Sequence, residues 1–275
     1  MNRIAILLPD LRGGGAERVN VNLANAFATS NVSVDMLLMR DDGELRRDLD
    51  PRVRLVILGA SRPRSLLGPL KAYLRSERPT ALLANMWPLT VIAVLARKLS
   101  GSKARLVVVE HNTWSVAPLA KRYRTRLVIR TTMHLLLPGA DHIVAVSNGV
   151  AKDLERFAWL GDGTVTTIYN PVVRKETTVA DSYPVLSTSW ASGSHKRVLA
   201  VGSLKEQKDF GTLIKAFDLL RRRVDARLLI LGEGQQRGDL EALVRQCGLE
   251  GLVEMPGFTN EPTSFYRSAD LFVLS

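Results

Sequence analysis

The stretch that decides the fold is RIAILLPDLRGGGAERV, residues 3–19. Its first part, Arg3–Leu8, is a short aliphatic run typical of a strand in a parallel sheet. A glycine-rich turn follows at Gly13–Gly15 and opens a helical pattern near 16–29. The order of strand, turn and helix predicts the first unit of an α/β sheet, in which backbone N–H groups of the turn can approach an anion. A flexible turn that needs positive φ explains these glycines equally well at this point.

The same alternation continues along the first two thirds of the chain. Further short runs of β-branched and aliphatic residues lie at 32–38, 53–58, 81–84, 105–109, 142–146 and 164–168. Helical patterns separate them near 66–76, 88–100, 119–137 and 148–158. Strands that alternate with helices predict a parallel sheet with helices on both of its faces.

The chain divides into two predicted Rossmann-like domains. Residues 1–170 form the first, and residues 171–196 lack periodicity and are predicted to be a linker. Residues 197–275 begin a second βα series and form a partial second domain. Its predicted strands lie at 197–202, 227–231, 252–255 and 270–274, the last of them buried, and its predicted helices lie near 209–222 and 236–247.

Composition limits the class of protein. The 275 residues are 46% apolar and 24% charged, which is ordinary for a globular protein with a full core. The N-terminal apolar run is too short for a signal peptide, and no run reaches the length of a membrane-spanning helix. Cys247 is the single cysteine, which excludes an intrachain disulfide and fits a reducing compartment. These features predict a cytoplasmic protein.

The net charge of +11 lies entirely in the first part of the chain. Residues 1–180 carry 26 Lys and Arg against 15 Asp and Glu, whereas residues 181–275 carry 12 of each. A basic surface attracts anionic membranes, phosphorylated substrates or nucleic acid. The densest basic run, Lys121–Arg126, fits a solvated helix face as well as a membrane contact. Because no nucleic-acid-binding motif accompanies the charge, nucleic acid is not an expected partner.

Three motifs in the second part carry the functional signal: GSLKEQKDFGTLIKAF at 202–217, LLILGEG at 228–234 and PGFTN at 256–260. Together with the GGGAER turn at 13–18, they resemble the retaining glycosyltransferases of family 4, which have the GT-B fold. The resemblance covers nearly the whole chain. It implies transfer of a sugar from a nucleotide-diphosphate donor, held in the cleft between the two domains, with the anomeric configuration kept and with neither a metal nor another cofactor.

The resemblance also implies roles for residues of the second domain. Lys208 matches the lysine that neutralises the donor diphosphate, a sensible task for a fixed cation where no metal is present. Gly202 matches the family pattern, but Ser203 stands where many relatives have an arginine that also grips the diphosphate. The other residues implied to bind the donor are Glu233 in the Gly-acidic-Gly turn, Phe258, Thr259 and Asn260 beside the nucleotide base, and Gly14 and Gly15 of the first domain.

His111 is the strongest candidate in the first domain. It follows the predicted strand at 105–109, and the carboxyl ends of parallel strands face the ligand crevice. Family members use a histidine there to contact the transferred sugar, although a histidine hydrogen-bonded within a loop is the ordinary alternative. The remaining histidines have no clustered acidic or cysteine partners, so no metal site is predicted.

The sequence says less about the acceptor and about the activity of this chain than about the donor. The resemblance implies a glycan or lipid-linked acceptor in polysaccharide or glycolipid biosynthesis, and the basic first domain suggests a peripheral position on the inner face of the cell membrane. It also implies two glutamates about eight positions apart beyond the strand at 270–274, and the sequence ends at Ser275. A truncated transferase is therefore expected, with an inactive nucleotide-sugar or membrane-binding module, or a sugar-nucleotide epimerase, as alternatives.

Overall fold

A computed structural model describes residues 2–12, 14–171, 190, 193–259 and 262–274. The chain separates into two compact units, Met1–Arg174 and Lys175–Ser275. Most of the predicted linker at 171–196 lies outside the described residues.

The first unit is an α/β sheet with the strand order β3-β2-β1-β4-β5-β6-β7, in which neighbouring strands run parallel. Its strands are β1 (Arg3–Leu8), β2 (Ser33–Leu38), β3 (Arg54–Ile57), β4 (Ala81–Asn85), β5 (Arg105–Glu110), β6 (His142–Ala145) and β7 (Val165–Thr167). Its helices are α1 (Gly15–Thr29), α2 (Leu67–Glu77), α3 (Leu89–Ser100), α4 (Tyr123–Leu136) and α5 (Asn148–Phe157). The alternating parallel architecture predicted from the sequence is confirmed.

Strand β1 lies inside this sheet and is covered on both faces. Ile6 and Leu8 belong to one buried cluster, which includes residues of α1. Ala5 and Leu7 belong to another, which includes residues of α2 and α3. Because β1 is adjacent to β4, and β4 to β5, the segments that follow these three strands meet at one edge of the sheet.

The second unit is a smaller parallel sheet with the order β10-β9-β8-β11. Its strands are β8 (Lys196–Val201), β9 (Ala226–Leu231), β10 (Val253–Gly257) and β11 (Leu271–Phe272). Its helices are α6 (Phe210–Leu220), α7 (Arg237–Gln246) and α8 (Thr263–Ser268). Helix α8 was not predicted, because six residues are too few to show a helical period.

The prediction of a buried strand over 270–274 is wrong in both length and burial. Leu271 and Phe272 are the two strand residues paired with β8, and their side chains are 52% and 40% exposed. The backbone N–H groups of Asp270 and Val273 also donate to carbonyls of β8, at 2.9 and 2.8 Å. Strand β11 is at the edge of the sheet, so within the described residues it has a neighbouring strand on one side only. An apolar run alone does not distinguish an edge strand from an interior one.

Candidate active site

The glycine-rich turn leads directly into α1. Gly14 is the residue before the helix, and no described side chain caps the helix there. A Cβ atom at Gly14 would lie 2.1 Å from Oε2 of Glu17, whereas one at Gly15 would meet no described atom within 4 Å. The space around Gly15 is therefore open, and the Glu17 carboxylate lies beside the turn. The negative charge of Glu17 disfavours an anion at this turn in the present position of the side chain. Gly13 lies outside the described residues.

Asp10, which sequence reasoning did not select, braces the same turn. Its buried carboxylate accepts hydrogen bonds from the backbone N–H of Arg12 at 3.3 Å and from the Arg40 guanidinium at 2.7 Å. Burial alone would raise the pKa of Asp10, but the hydrogen bonds from Arg12 and Arg40 outweigh it and hold the pKa below its ordinary value. The signal in the sequence was an acidic residue directly after the strand and its proline.

His111 follows β5 at the same edge of the first sheet. Its Nε2 lies 3.1 Å from Oδ1 of Asn85, the last residue of β4. Burial lowers the pKa of His111 to about 4, because an imidazolium loses its hydration there. The imidazole is therefore neutral at neutral pH.

Glu110, the last residue of β5, is a buried carboxylate that sequence reasoning also missed. Its oxygens accept hydrogen bonds from Oγ1 of Thr90 at 2.9 Å and from Nε1 of Trp114 at 3.3 Å. Burial raises its pKa to about 7 in spite of these hydrogen bonds. An ionisable carboxyl group thus lies one residue before the candidate histidine.

Glu110 and His111 give opposite pH dependences of stability. The pKa of Glu110 is about 7 against an ordinary 4.5, so the folded state binds more protons and the free energy of unfolding falls as pH rises from about 4.5 to about 7. The pKa of His111 is about 4 against an ordinary 6.5, so its contribution to that free energy rises with pH between these values. The contributions of Glu110 and His111 to the free energy of unfolding largely cancel over the pH range that both share, about 4.5 to 6.5.

Single substitutions should separate them. We expect the free energy of unfolding of Glu110→Gln, relative to wild type, to rise by up to about 3 kcal/mol between about pH 4.5 and pH 7, because the variant lacks the falling contribution. His111→Gln is the matched control and should show the opposite slope between about pH 4 and pH 6.5. Urea denaturation at a series of pH values measures both. If the difference in free energy of unfolding between Glu110→Gln and wild type does not change with pH, burial does not raise the pKa of Glu110.

In the second unit, Lys208 lies against Gly202. Gly202 directly follows β8, and Lys208 ends a short 3₁₀ helix at Glu206–Lys208, just before α6. A Cβ atom at Gly202 would lie 3.3 Å from Cε of Lys208, so the lysine side chain passes over the glycine backbone. The structure therefore brings these two predicted donor-binding residues together.

The turn after β9 packs directly on the segment that follows β8. The backbone N–H of Leu204 donates to the carbonyl of Glu233 at 2.9 Å. A Cβ atom at Gly232, where φ is +151°, would lie 1.9 Å from the carbonyl oxygen of Gly202. A Cβ atom at Gly234 would lie 2.3 Å from that of Leu204. Glycine is needed at both positions because the two backbone segments touch.

The Glu233 carboxylate forms an ion pair with Arg237, the first residue of α7. The Arg237 guanidinium donates to its two oxygens at 2.9 and 2.5 Å, and also to Glu241 and to the carbonyl of Met255. Hydrogen bonds from Arg237 are the main reason that the pKa of Glu233 is below its ordinary value. Arg237 was not selected from the sequence. It ties the turn after β9 to α7 and β10, and it fixes Glu233.

The remaining predicted donor residues lie near the same edge of the second sheet. Ser203 directly follows Gly202 and is half-buried. Phe258 and Thr259 directly follow β10, and Phe258 is 40% exposed. Asn260 lies outside the described residues. Residues after β8, β9 and β10 are therefore gathered where a ligand binds in open α/β sheets.

A groove of about 1130 Å³ at the opposite edge of the first sheet contains none of the predicted site residues. Arg75, Arg78, Lys103 and Arg105 contribute to its lining, at the ends of α2 and α3 and the start of β5. Arg75 donates to the carbonyls of Leu99 and Ser100. Cations at helix C-termini offset the partial negative charge there, which accounts for part of the basic character of this groove.

The described part of the chain has neither a cluster of metal ligands nor a membrane-spanning helix. No group of three or more His, Cys, Asp or Glu side chains comes together there in a way that could hold a metal ion. Among the described helices, none has the length and apolar character of a membrane-spanning segment.

Two known protein families match the sequence of this chain. The family described as Glycosyltransferase Family 4 matches residues 13–175, more than half of the chain. The chain belongs to this family. A second family, described as Glycosyl transferases group 1, matches residues 189–275. Both matches confirm the resemblance found from the motifs and show that the protein is a glycosyltransferase by descent.

Two relatives of this family 4 protein align with nearly all of it. One is the N-acetylgalactosamine-N,N'-diacetylbacillosaminyl-diphospho-undecaprenol 4-alpha-N-acetylgalactosaminyltransferase of Campylobacter jejuni, which is 28% identical over 100% of this chain and 74% of its own length. The other is the lipopolysaccharide core biosynthesis glycosyltransferase LpsE of Rhizobium meliloti, which is 27% identical over 96% of this chain and 69% of its own length.

Solved structures support the fold of this family 4 protein. HepE of Anabaena in complex with UDP-glucose matches with a TM-score of 0.76 at 15% identity, over 100% of this chain and 74% of HepE. The apo form of the lipopolysaccharide outer core galactosyltransferase WaaB matches with a TM-score of 0.64 at 19% identity, over 97% of this chain and 71% of WaaB. The predicted GT-B fold is confirmed.

Proposed function

We propose that this protein transfers a sugar from a nucleotide-diphosphate donor to a glycan or lipid-linked acceptor, with retention of the anomeric configuration. The observation that carries the proposal is the arrangement of Lys208 over Gly202, beside the Gly232–Gly234 turn, at the carboxyl edge of the second sheet. A cation and closely approached backbone at such an edge suit a diphosphate. The UDP-glucose complex of HepE, which has the same fold, supports a nucleotide sugar as the donor.

In this proposal, Lys208 neutralises the diphosphate as it leaves. Departure of a nucleoside diphosphate concentrates about two negative charges on its oxygens, and a fixed cation stabilises that charge most in the transition state. Because Ser203 is uncharged, we assign most of this work to Lys208 and not to a metal ion. Backbone N–H groups of the glycine-rich segments add partial positive charge.

The anomeric configuration is retained when the acceptor attacks the anomeric carbon on the same face from which the leaving group departs. The bond between the anomeric carbon and the diphosphate oxygen breaks, and a bond to the acceptor oxygen forms on the same face. The acceptor proton passes to the departing diphosphate oxygen. Because His111 is neutral at neutral pH, it binds the transferred sugar by hydrogen bonding and not as a cation.

A lipid-linked diphosphate is the acceptor class that we favour. The Campylobacter relative is named for a diphospho-undecaprenol substrate, and the Rhizobium relative for lipopolysaccharide core biosynthesis. The excess positive charge of residues 1–180 suits an anionic acceptor and an anionic bilayer. We therefore propose a peripheral, cytoplasmic position on the inner face of the cell membrane, in polysaccharide or glycolipid biosynthesis.

The part of the surface proposed to contact the membrane lies on α4 and consists of Tyr123, Arg124, Leu127 and Val128. Tyr123 and Leu127 are four residues apart on the helix, as are Arg124 and Val128, so the two pairs lie side by side on one face. Tyr123 is 79% exposed and Val128 is 55% exposed, and both other side chains are exposed as well. Apolar and aromatic side chains beside a cation are the combination that binds an anionic interface.

Charge reversal on this α4 surface should weaken membrane binding. We expect Arg124→Glu to lower the partition coefficient onto vesicles with 30% phosphatidylglycerol by roughly thirtyfold at low salt, at about 1 kcal/mol for each unit of charge. Arg245→Glu, on an exposed position of the second unit, makes the same change in net charge and should have a much smaller effect. Vesicle co-sedimentation measures both. Equal binding to neutral and anionic vesicles would contradict the proposed contact.

The transfer reaction itself is tested by incubating the protein with UDP- or GDP-sugars and a short-chain polyprenyl-diphosphate glycan. The proposal predicts a product one sugar longer, with the anomeric configuration of the donor, as read from the proton coupling constant at the new linkage. An inverted configuration would overturn retention, and release of free nucleotide without an extended acceptor would favour the epimerase alternative.

A further inference from the structure

Two buried amide side chains connect the candidate histidine to the first helix. Asn20 lies on α1 and is 3% exposed, and Asn85 ends β4 and is 1% exposed. Neither was selected from the sequence. Buried amides need defined hydrogen-bond partners, so their arrangement carries information about what surrounds them.

The contacts of Asn85 fix the orientation of its amide. Its Nδ2 lies 3.4 Å from the carbonyl oxygen of Leu7 and donates to it. Its Oδ1 then faces Nδ2 of Asn20 at 3.1 Å, and that nitrogen also donates to the carbonyl of Ala16 at 2.8 Å. A flipped Asn85 amide would place its NH₂ group against the donor of Asn20 and its oxygen against the carbonyl of Leu7. The observed orientation therefore satisfies every partner.

This orientation determines the tautomer of His111. Nε2 of His111 lies 3.1 Å from Oδ1 of Asn85, and an amide oxygen only accepts hydrogen bonds. Nε2 must therefore carry the proton. In a neutral imidazole, Nδ1 then holds the lone pair and is the atom that can accept a hydrogen bond.

We propose that Asn20 and Asn85 are positioning residues that hold His111 as its neutral Nε2–H tautomer, so that Nδ1 accepts a hydrogen bond from a hydroxyl group of the transferred sugar. The tautomer is a property of the protein alone, whereas the hydroxyl contact rests on the proposed function. Nδ2 of Asn20 connects Asn85 to the first turn of α1, because it donates both to Oδ1 of Asn85 and to the carbonyl of Ala16. The same pair thus holds the imidazole and the start of α1, beside the glycine-rich turn, in one arrangement.

The test is the protonation pattern of His111 in the full chain, labelled with ¹⁵N and read from long-range ¹H–¹⁵N correlations at pH 7.5. His111→Gln identifies the signals of this residue among those of the four histidines. Wild type should show a protonated Nε2 and an unprotonated Nδ1. Asn85→Leu removes the acceptor and should give a mixture of tautomers or the Nδ1–H form. Asn85→Asp keeps an oxygen acceptor, so it should keep Nε2–H and raise the pKa of His111 by roughly 1–3.

A matched control separates positioning from general damage to α1. Asn25 lies on the same helix and also uses both ends of its amide, donating to the carbonyl of Asp48 and accepting from the N–H of Asp50, both at 2.8 Å. Asn25→Leu should leave the His111 tautomer unchanged. If Asn85→Leu does not fold, Asn20→Ala removes one of the groups that orient Asn85 and should also give a mixture of tautomers.

The outcomes distinguish this inference from the proposed function. An Nδ1–H tautomer in wild type, or an unchanged Nε2–H tautomer in both Asn85→Leu and Asn20→Ala, overturns the positioning role whatever the transfer assay shows. A confirmed tautomer in a protein that binds no nucleotide sugar leaves the positioning role standing and removes the sugar contact. Sugar transfer that is lost in Asn85→Leu and restored in Asn85→Asp above the new pKa of His111, with little transfer at lower pH, supports both the positioning role and the sugar contact.

Discussion

Replacing Lys208 with methionine should lower the affinity for a nucleoside diphosphate by about 100-fold, a loss of roughly 3 kcal/mol. Methionine keeps most of the length of the side chain that passes over Gly202, so the packing seen there is retained and the charge is lost. The large effect is expected because Ser203 supplies no second cation at the neighbouring position. Isothermal titration with UDP and GDP measures the change.

Lys215→Met is the control for this experiment. Lys215 is exposed on α6, and its removal changes the net charge by the same amount. Its effect should stay within a factor of about two, since an exposed charge away from the ligand is screened by solvent. Similar losses in both variants would show that general electrostatic attraction, and not a specific contact from Lys208, binds the nucleotide.

Gly232→Ala should destabilise the second unit by about 3 kcal/mol and abolish nucleotide binding. The new Cβ atom would lie 1.9 Å from the carbonyl oxygen of Gly202, and the residue has a φ of +151°, so steric overlap and backbone strain add. Relief of the overlap must move the segment after β8, which leads to Lys208. Chemical denaturation gives the stability, and calorimetric titration gives the binding.

Gly238→Ala provides a matched comparison for the glycine substitution. Gly238 lies in α7, and a Cβ atom there would meet no described atom within 4 Å. Alanine has the higher helix propensity, so this variant should be more stable than wild type by roughly 0.5–1 kcal/mol. If Gly232→Ala were as stable as wild type, the close packing of the turn on Gly202 would be contradicted.

The fold could be predicted from the sequence because the two kinds of element differ clearly in length and pattern. Aliphatic runs such as Arg3–Leu8 and Ala226–Leu231 are too short for helices, and each is followed by an amphipathic segment. The short helix α8 was missed, and β11 was predicted wrongly, because the burial of a strand depends on which strands lie on each side. That information is in the topology and not in the run of residues itself.

The candidate site could be predicted only where a motif marks it. Lys208 and His111 were selected as candidates from motif and strand position, and their roles stay predictions. Asn20 and Asn85 were missed because buried amides at isolated positions have no period or spacing, and their roles appear only when β4 and α1 are placed side by side. Glu110 was passed over for a related reason, since its raised pKa comes from burial and not from its neighbours in the sequence.

We expect the second unit to bind a nucleoside diphosphate at the edge formed by Gly202, Lys208 and the Gly232–Gly234 turn. Backbone amide chemical shifts of the full chain, followed during titration with UDP and with GDP, measure this binding residue by residue. We predict saturable shifts for one of the two nucleotides, largest at these residues and at Phe258 and Thr259. A donor site at this edge is ruled out if neither nucleotide shifts these amides at millimolar concentration, or if the largest shifts lie elsewhere in the chain.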